Sequence, residues 1–175
     1  SSLEFLANSP TLMNAGTKAG TLSACFVLPL EDSMEGIMKT AHDAAMVQKY
    51  GGGTGFARSE LRPKGARIKT THGKACGPIA ALKLLSSVST LVTQGGKRDG
   101  ANMAVMNVHH PDIEEFIDCK TEEGAIHNFN ISVGATDAFM NAVKNDEDYD
   151  VIDPISKEVV AKKNARQLFD KIVKG

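Results

Sequence analysis

The sequence predicts an α/β domain built on a largely parallel sheet, and three observations carry that expectation. Short apolar runs alternate with stretches of helical period, the order expected of βα units. Two of the helical stretches open on a proline well suited to a first turn, Pro78 and Pro111. A chain of 175 residues with 42% hydrophobic content can bury one core of ordinary domain size.

In chain order, residues 1–9 (SSLEFLANS) are helix-like, and residues 22–30 form the first strand candidate. Residues 33–50 follow as a helix: Met34, Ile37, Met38, Ala41, Ala44, Ala45 and Gln48 recur close to helical spacing, and Asp32 with Glu35 supplies a capping signal. That helix has an unusually small-residue face. Residues 54–57 are the second strand candidate. In the helix expected over 78–93, Ala81, Leu84, Leu85, Val88, Leu91 and Val92 make the apolar stripe, with Ser86, Ser87 and Ser89 on other faces. Residues 101–108 form the third strand, and in the helix at 111–120 Ile113, Phe116 and Ile117 face inward. Residues 128–134 give a fourth strand and 149–152 a weaker fifth, before an amphipathic helix in ARQLFDKIVKG at 165–175. With no internal repeat, low-complexity tract or polar linker, residues 1–175 read as one domain.

Composition narrows the function classes. A formal net charge of −1 argues against a non-specific nucleic-acid binder. Cys25, Cys76 and Cys119 lie far apart, with no CxxC pair and no secretory or transmembrane segment. That pattern argues against a disulfide scaffold, a structural zinc site or membrane association, and the chain reads as cytoplasmic. The basicity is local: Arg58, Arg62, Lys64, Arg67, Lys69 and Lys74 stand against the single acid Glu60, a density suited to a di- or triphosphate or, equally, to a solvated loop. The start without methionine and the unpartnered last helix suggest a piece of a longer chain.

Two Gly-rich turns, YGGGTGF at 50–56 and QGGKRDGAN at 94–102, each follow a helix and precede a strand. Dinucleotide and Walker loops need the opposite order, so that phosphates meet a helix N-terminus; these turns fail as such motifs and taken alone read as helix C-caps. Adjacent His109 and His110 point apart in a strand-like segment with no third ligand spaced nearby, so both read as structural. His42, His72 and His127 are isolated, and Glu114, Glu115, Glu122 and Glu123 read as a solvated face and its loop. Residue type alone makes Cys25 a buried structural cysteine.

Taken together, NSPTLMNAG, LSACFVLPLEDSMEGI, GGGTGF, LRPKG, QGGKRDGANM, HPDIEEFI and NFNISV occur in an order and spacing that resembles the catalytic subunit of ribonucleotide reductases, nearest the adenosylcobalamin-dependent class II branch. The resemblance implies about half of a ten-stranded α/β barrel. It also implies radical reduction of the ribonucleotide 2′-hydroxyl, with Cys25 of SACF as one member of the reducing cysteine pair. The partner cysteine and the thiyl-forming cysteine of the family fall in segments this sequence lacks, and Cys76 and Cys119 match no catalytic position.

The resemblance further implies substrate contacts at Ser9, Ala24, Gly52, Gly53 and Arg98, the last as base reader in a loop at 94–100 where Asp99 departs from the expected pattern. A deoxynucleoside triphosphate effector is implied at Asp32, Ser33, Arg62, Lys64 and Lys69. Glycines let the 94–100 loop take several backbone shapes. Implied partners are the ribonucleotide, the effector, a thioredoxin-like or other thiol reductant and a second copy paired through helix 33–50. A class I large subunit fed by a separate radical-generating subunit, a truncated non-catalytic nucleotide-binding relative and an unrelated phosphate-binding domain remain alternatives.

Overall fold

The structure, a computed structural model, describes residues 4, 6–18, 21–56, 60–68, 72–92, 100–120 and 126–174. Arg98 and Lys69 lie outside the described residues. A six-residue helix α1 (Ser9–Asn14) comes first; Asn8 caps it by accepting from the Thr11 N–H at 3.0 Å, and Pro10 fills the first turn. Among the described residues, the helix expected at 1–9 begins at Ser9, where a capping side chain and a proline combine.

Four parallel strands, β1 (Cys25–Val27), β2 (Gly53–Phe56), β3 (Asn102–Asn107) and β4 (Phe129–Gly134), stand in the order β1-β2-β3-β4. Helices α2 (Met34–Lys49), α3 (Pro78–Leu91) and α4 (Ile113–Asp118) connect successive strands. Because such crossovers share one hand, a strand order without reversal places every connecting helix on the same face. Burial follows suit. Thr54, Phe56, Asn102, Ala104, Met106 and Phe129 are buried on the helix side, while Cys25, Val27 and Met103 on the alternate positions are exposed.

Helix α2 begins at Ser33, whose hydroxyl accepts from the Gly36 N–H at 2.9 Å, so the cap is Ser33 rather than the Asp32–Glu35 pair expected. Its inward face is Gly36, Thr40, Ala41, Ala44 and Gln48; Met34 and Met38, expected within the apolar face, are exposed. In α3 the buried set includes Ser86 and Ser89, and Leu91 is exposed, which rotates the expected stripe. The serines are buried because they have partners: Ser86 donates to Asn128 Oδ1 and Ser89 to the Leu85 carbonyl. In α4, Ile113, Phe116 and Ile117 face inward as expected.

The fifth strand, β5 (Asp148–Ile152), does not join the parallel sheet. It pairs antiparallel with β6 (Val159–Asn164), and this hairpin lies between α5 (Asp137–Asn145) and α6 (Ala165–Lys174) in the chain. Asp153 organises its turn by accepting from the Ile155 and Ser156 N–H groups, and these bonds, that to Ser156 foremost, hold its carboxyl below the usual carboxylate range. The hairpin joins the main core through Tyr149, which meets Phe139 edge-on at 5.0 Å between ring centroids, and through the Ile152 N–H to the His109 carbonyl. No helix among the described residues is long and apolar enough to cross a membrane.

Candidate active site and effector loop

Cys25 opens β1, paired in register with Gly53, and both occupy the sheet face opposite the connecting helices α2, α3 and α4. The thiol is exposed rather than buried. A Cβ built on Gly53 would lie 3.7 Å from Cys25 Sγ and 3.6 Å from the Ala24 carbonyl, an ordinary contact distance, so the bare glycine leaves one side-chain volume open beside the sulfur. Gly52 differs: its Cβ would fall 2.7 Å from Val47 and 2.9 Å from Phe26, so packing inside the chain already demands glycine there. Ser9 starts α1, which is tied to the segment leading into β1 by Thr11 Oγ1 donating to the Leu22 carbonyl and Asn14 Nδ2 to the Thr21 carbonyl. Ser9, Ala24, Cys25 and Gly53 thus belong to one end of the sheet, where the strands begin.

The basic segment is anchored to the start of α2 and to the turn before α4. Arg62 donates through its backbone N–H and Nε to the two Asp32 oxygens, at 3.1 and 2.7 Å. Lys64 donates through its N–H to Asp112 at 2.8 Å and through Nζ to Glu115 at 3.1 Å. His110 accepts at Nδ1 from the Asp112 N–H, which leaves the ring proton on Nε2 to donate to the Leu61 carbonyl at 3.0 Å. Beyond these anchors, Arg67 and Lys74 bridge antiparallel, and neither has a carboxylate partner among the described residues. Two of the predicted effector cations, Arg62 and Lys64, therefore hold carboxylates of this same chain. The cations facing outward, Arg67 and Lys74, were counted in the sequence as charge density without being singled out.

His109 is likewise committed. Its Nδ1 lies 2.6 Å from the Asp150 carbonyl and so donates to it, while Nε2 faces Thr136 Oγ1 at 2.8 Å. Both histidines are structural ties, as expected. Burial pushes the Cys119 thiol up, which suits an inert core residue, whereas Cys76 is exposed. A cleft of about 430 Å³ lined by Glu114, Lys163, Asn164, Gln167, Leu168 and Lys171 lies away from the residues of the open sheet face, and its lysines pair with Glu114 and Asp118.

Sequential strand order, connecting helices on one face and an exposed cysteine on the opposite face fit part of an α/β barrel. The sequence profile of the ribonucleotide reductase barrel domain matches residues 23–175, and the chain belongs to that family. It is 49% identical over 174 residues to a vitamin B12-dependent ribonucleoside-diphosphate reductase of Thermoplasma acidophilum, covering 99% of this chain and 23% of that protein. The same identity and coverage of this chain hold for the enzyme so named from Mycobacterium tuberculosis, of which 25% is covered. A ribonucleoside-diphosphate reductase large subunit of Variola virus is 35% identical over 156 residues, with 86% of this chain and 20% of the viral protein covered. The chain thus spans about a quarter of the length of its most similar relatives among these.

Proposed function

We propose that this chain is the portion of a vitamin B12-dependent ribonucleoside-diphosphate reductase that supplies one reducing thiol and the effector-responsive loops. The observation that carries the reading is Cys25, exposed on the bare face next to the open side of Gly53, in a chain 49% identical across 99% of its length to reductases so named. The lower identity to the Variola virus large subunit supports the B12-dependent branch over one fed by a separate subunit.

In this reading the Cys25 thiol and a second thiol elsewhere in the full-length enzyme together give up two electrons and two protons. The substrate 2′-hydroxyl leaves as water, a hydrogen replaces it, and the sulfurs join as a disulfide that an external dithiol later reduces. Gly53 lets the sugar approach the sulfur, and Ser9 and the Ala24 backbone hold its phosphate end. Adenosylcobalamin, when bound, supplies the radical initiation. Around Cys25 the neighbours Ala24, Val27 and Gly53 offer no nitrogen donor to a cobalt, so no residue here is given to the cofactor and no step passes through it.

Arg67, Lys74 and Lys69 meet the effector phosphates together with the terminal guanidinium nitrogens of Arg62, whose Nε alone is used by Asp32. The exposed row Met34, Met38 and Met46 on α2 is the surface for a second copy. Turnover of a ribonucleoside diphosphate by the full-length enzyme with adenosylcobalamin and a dithiol tests the reading. Product with the cofactor, none without it, and none from Cys25→Ser are expected; turnover that ignores cobalamin, or survives that substitution, contradicts it.

A further inference from the structure

We propose that Gln48 is a positioning residue that fixes Gly100, and through it makes substrate choice respond to the effector. Gln48 sits in the last turn of α2 and is fully buried. Its Nε2 lies 2.9 Å from each of Thr54 Oγ1, Ser89 Oγ and Asn102 Oδ1. Those three groups are themselves locked. Thr54 Oγ1 donates to Asn102 Oδ1 at 2.6 Å, Asn102 Nδ2 donates to Ser89 Oγ at 2.8 Å, and Ser89 Oγ donates to the Leu85 carbonyl at 2.9 Å.

A flipped carboxamide would press its oxygen against the Asn102 oxygen, two acceptors with no proton between them, so the network dictates the orientation. The consequence is that Gln48 Oε1 points away from the network, buried and without a partner among the described residues. What it abuts is Gly100: a Cβ there would lie 2.4 Å from Oε1 and 2.7 Å from Cδ. The φ of Gly100 is outside the left-handed region, so the contact, not the backbone, requires glycine.

One rigid helix therefore joins two places. Its start carries Asp32 and Ser33 beside the basic segment, and its end carries the carboxamide that stops Gly100. Thr54 and Asn102 extend the same network into the strand starts that hold Gly53 and Cys25 in register. This inference rests on the reading under Proposed function, which places an effector on the basic segment and the substrate beside Gly53 and Cys25.

The test uses the full-length enzyme as wild type, Gln48→Ser, Gly100→Ala and the double variant, with circular dichroism to confirm folding. The readouts are the ratio of reduction rates for two competing bases with and without a deoxynucleoside triphosphate, and the dissociation constant of that effector. Either single substitution is expected to cut effector-dependent selectivity about fivefold or more, the low end of ordinary coupling, with effector affinity unchanged. The double variant is expected to be no worse than the worse single, because both break one contact. If Gln48→Ser does not fold, Gly100→Ala alone decides. Retained selectivity, losses that add in the double variant, or a loss that merely follows weakened effector binding overturns the role of Gln48. A wild-type enzyme whose base preference ignores every effector overturns the functional reading itself, a distinguishable result.

Discussion

The two faces of the parallel sheet obey different rules. On the helix side, Phe56, Ala104, Met106 and Phe129 are buried among α2, α3 and their neighbours, and even the polar residues Gln48, Thr54, Ser89 and Asn102 are sealed into one hydrogen-bonded cluster. On the other side Val27 is 75% exposed and Met103 44%. Parallel sheets ordinarily bury both faces. Part of a barrel has one finished face, which sets stability, and one open face, on which the proposed chemistry would take place.

The sharpest way to break this contrast is Phe129→Ala, which removes a ring buried against Phe56 at 5.9 Å. Chemical denaturation is expected to show a loss of about 3–5 kcal/mol; a loss below about 1 kcal/mol would mean that the covered face is not the core. Asn102→Ala should cost about 1–3 kcal/mol, because it leaves the Thr54 hydroxyl without its acceptor in the interior and removes one of the acceptors around the Gln48 amide.

Tyr149→Phe tests the hairpin's attachment. The Tyr149 hydroxyl is buried without a partner among the described residues, so its removal should be neutral or stabilise by up to about 1 kcal/mol. Burial also pushes its pKa from 10.0 up to about 12. For an acid whose neutral form is favoured by folding, that contribution is intact below pH 10 and is lost as pH rises from there towards about 12. Alkaline titration of stability should show this decline in the wild type and a shallower one in the variant. The smallest effect is expected on the open face: Val27→Ser should change the stability of this chain by less than about 0.5 kcal/mol, as at any exposed site. A large loss there would show that the face is already covered.

Much of this arrangement was legible in the residues. The four parallel strands and three connecting helices follow from alternating periods; Pro78 opens α3 as expected, whereas Pro111 precedes the Asp112 cap of α4. The strand ends were overestimated mainly at 22–30, where apolar residues continue past the three that pair. Strand β6 escaped because its exposure hardly varies along its length, which leaves no alternating pattern to read. The facing of α3 was misread because serine counts as polar in any periodicity, whereas Ser86 and Ser89 are buried by satisfying Asn128, Asn102 and Gln48. Pairing between distant residues is invisible to local pattern. The basic segment announced its charge in the sequence, but only the fold shows Arg62 held by Asp32 and Lys64 by Asp112 and Glu115.

The most direct measurement is the redox state of Cys25 after a single turnover of the full-length enzyme with a ribonucleoside diphosphate and adenosylcobalamin, without added reductant. Peptide mass spectrometry should find Cys25 in an intramolecular disulfide, in an amount matching the deoxynucleotide formed. Deoxynucleotide formed while Cys25 remains a free thiol would contradict the account at its centre.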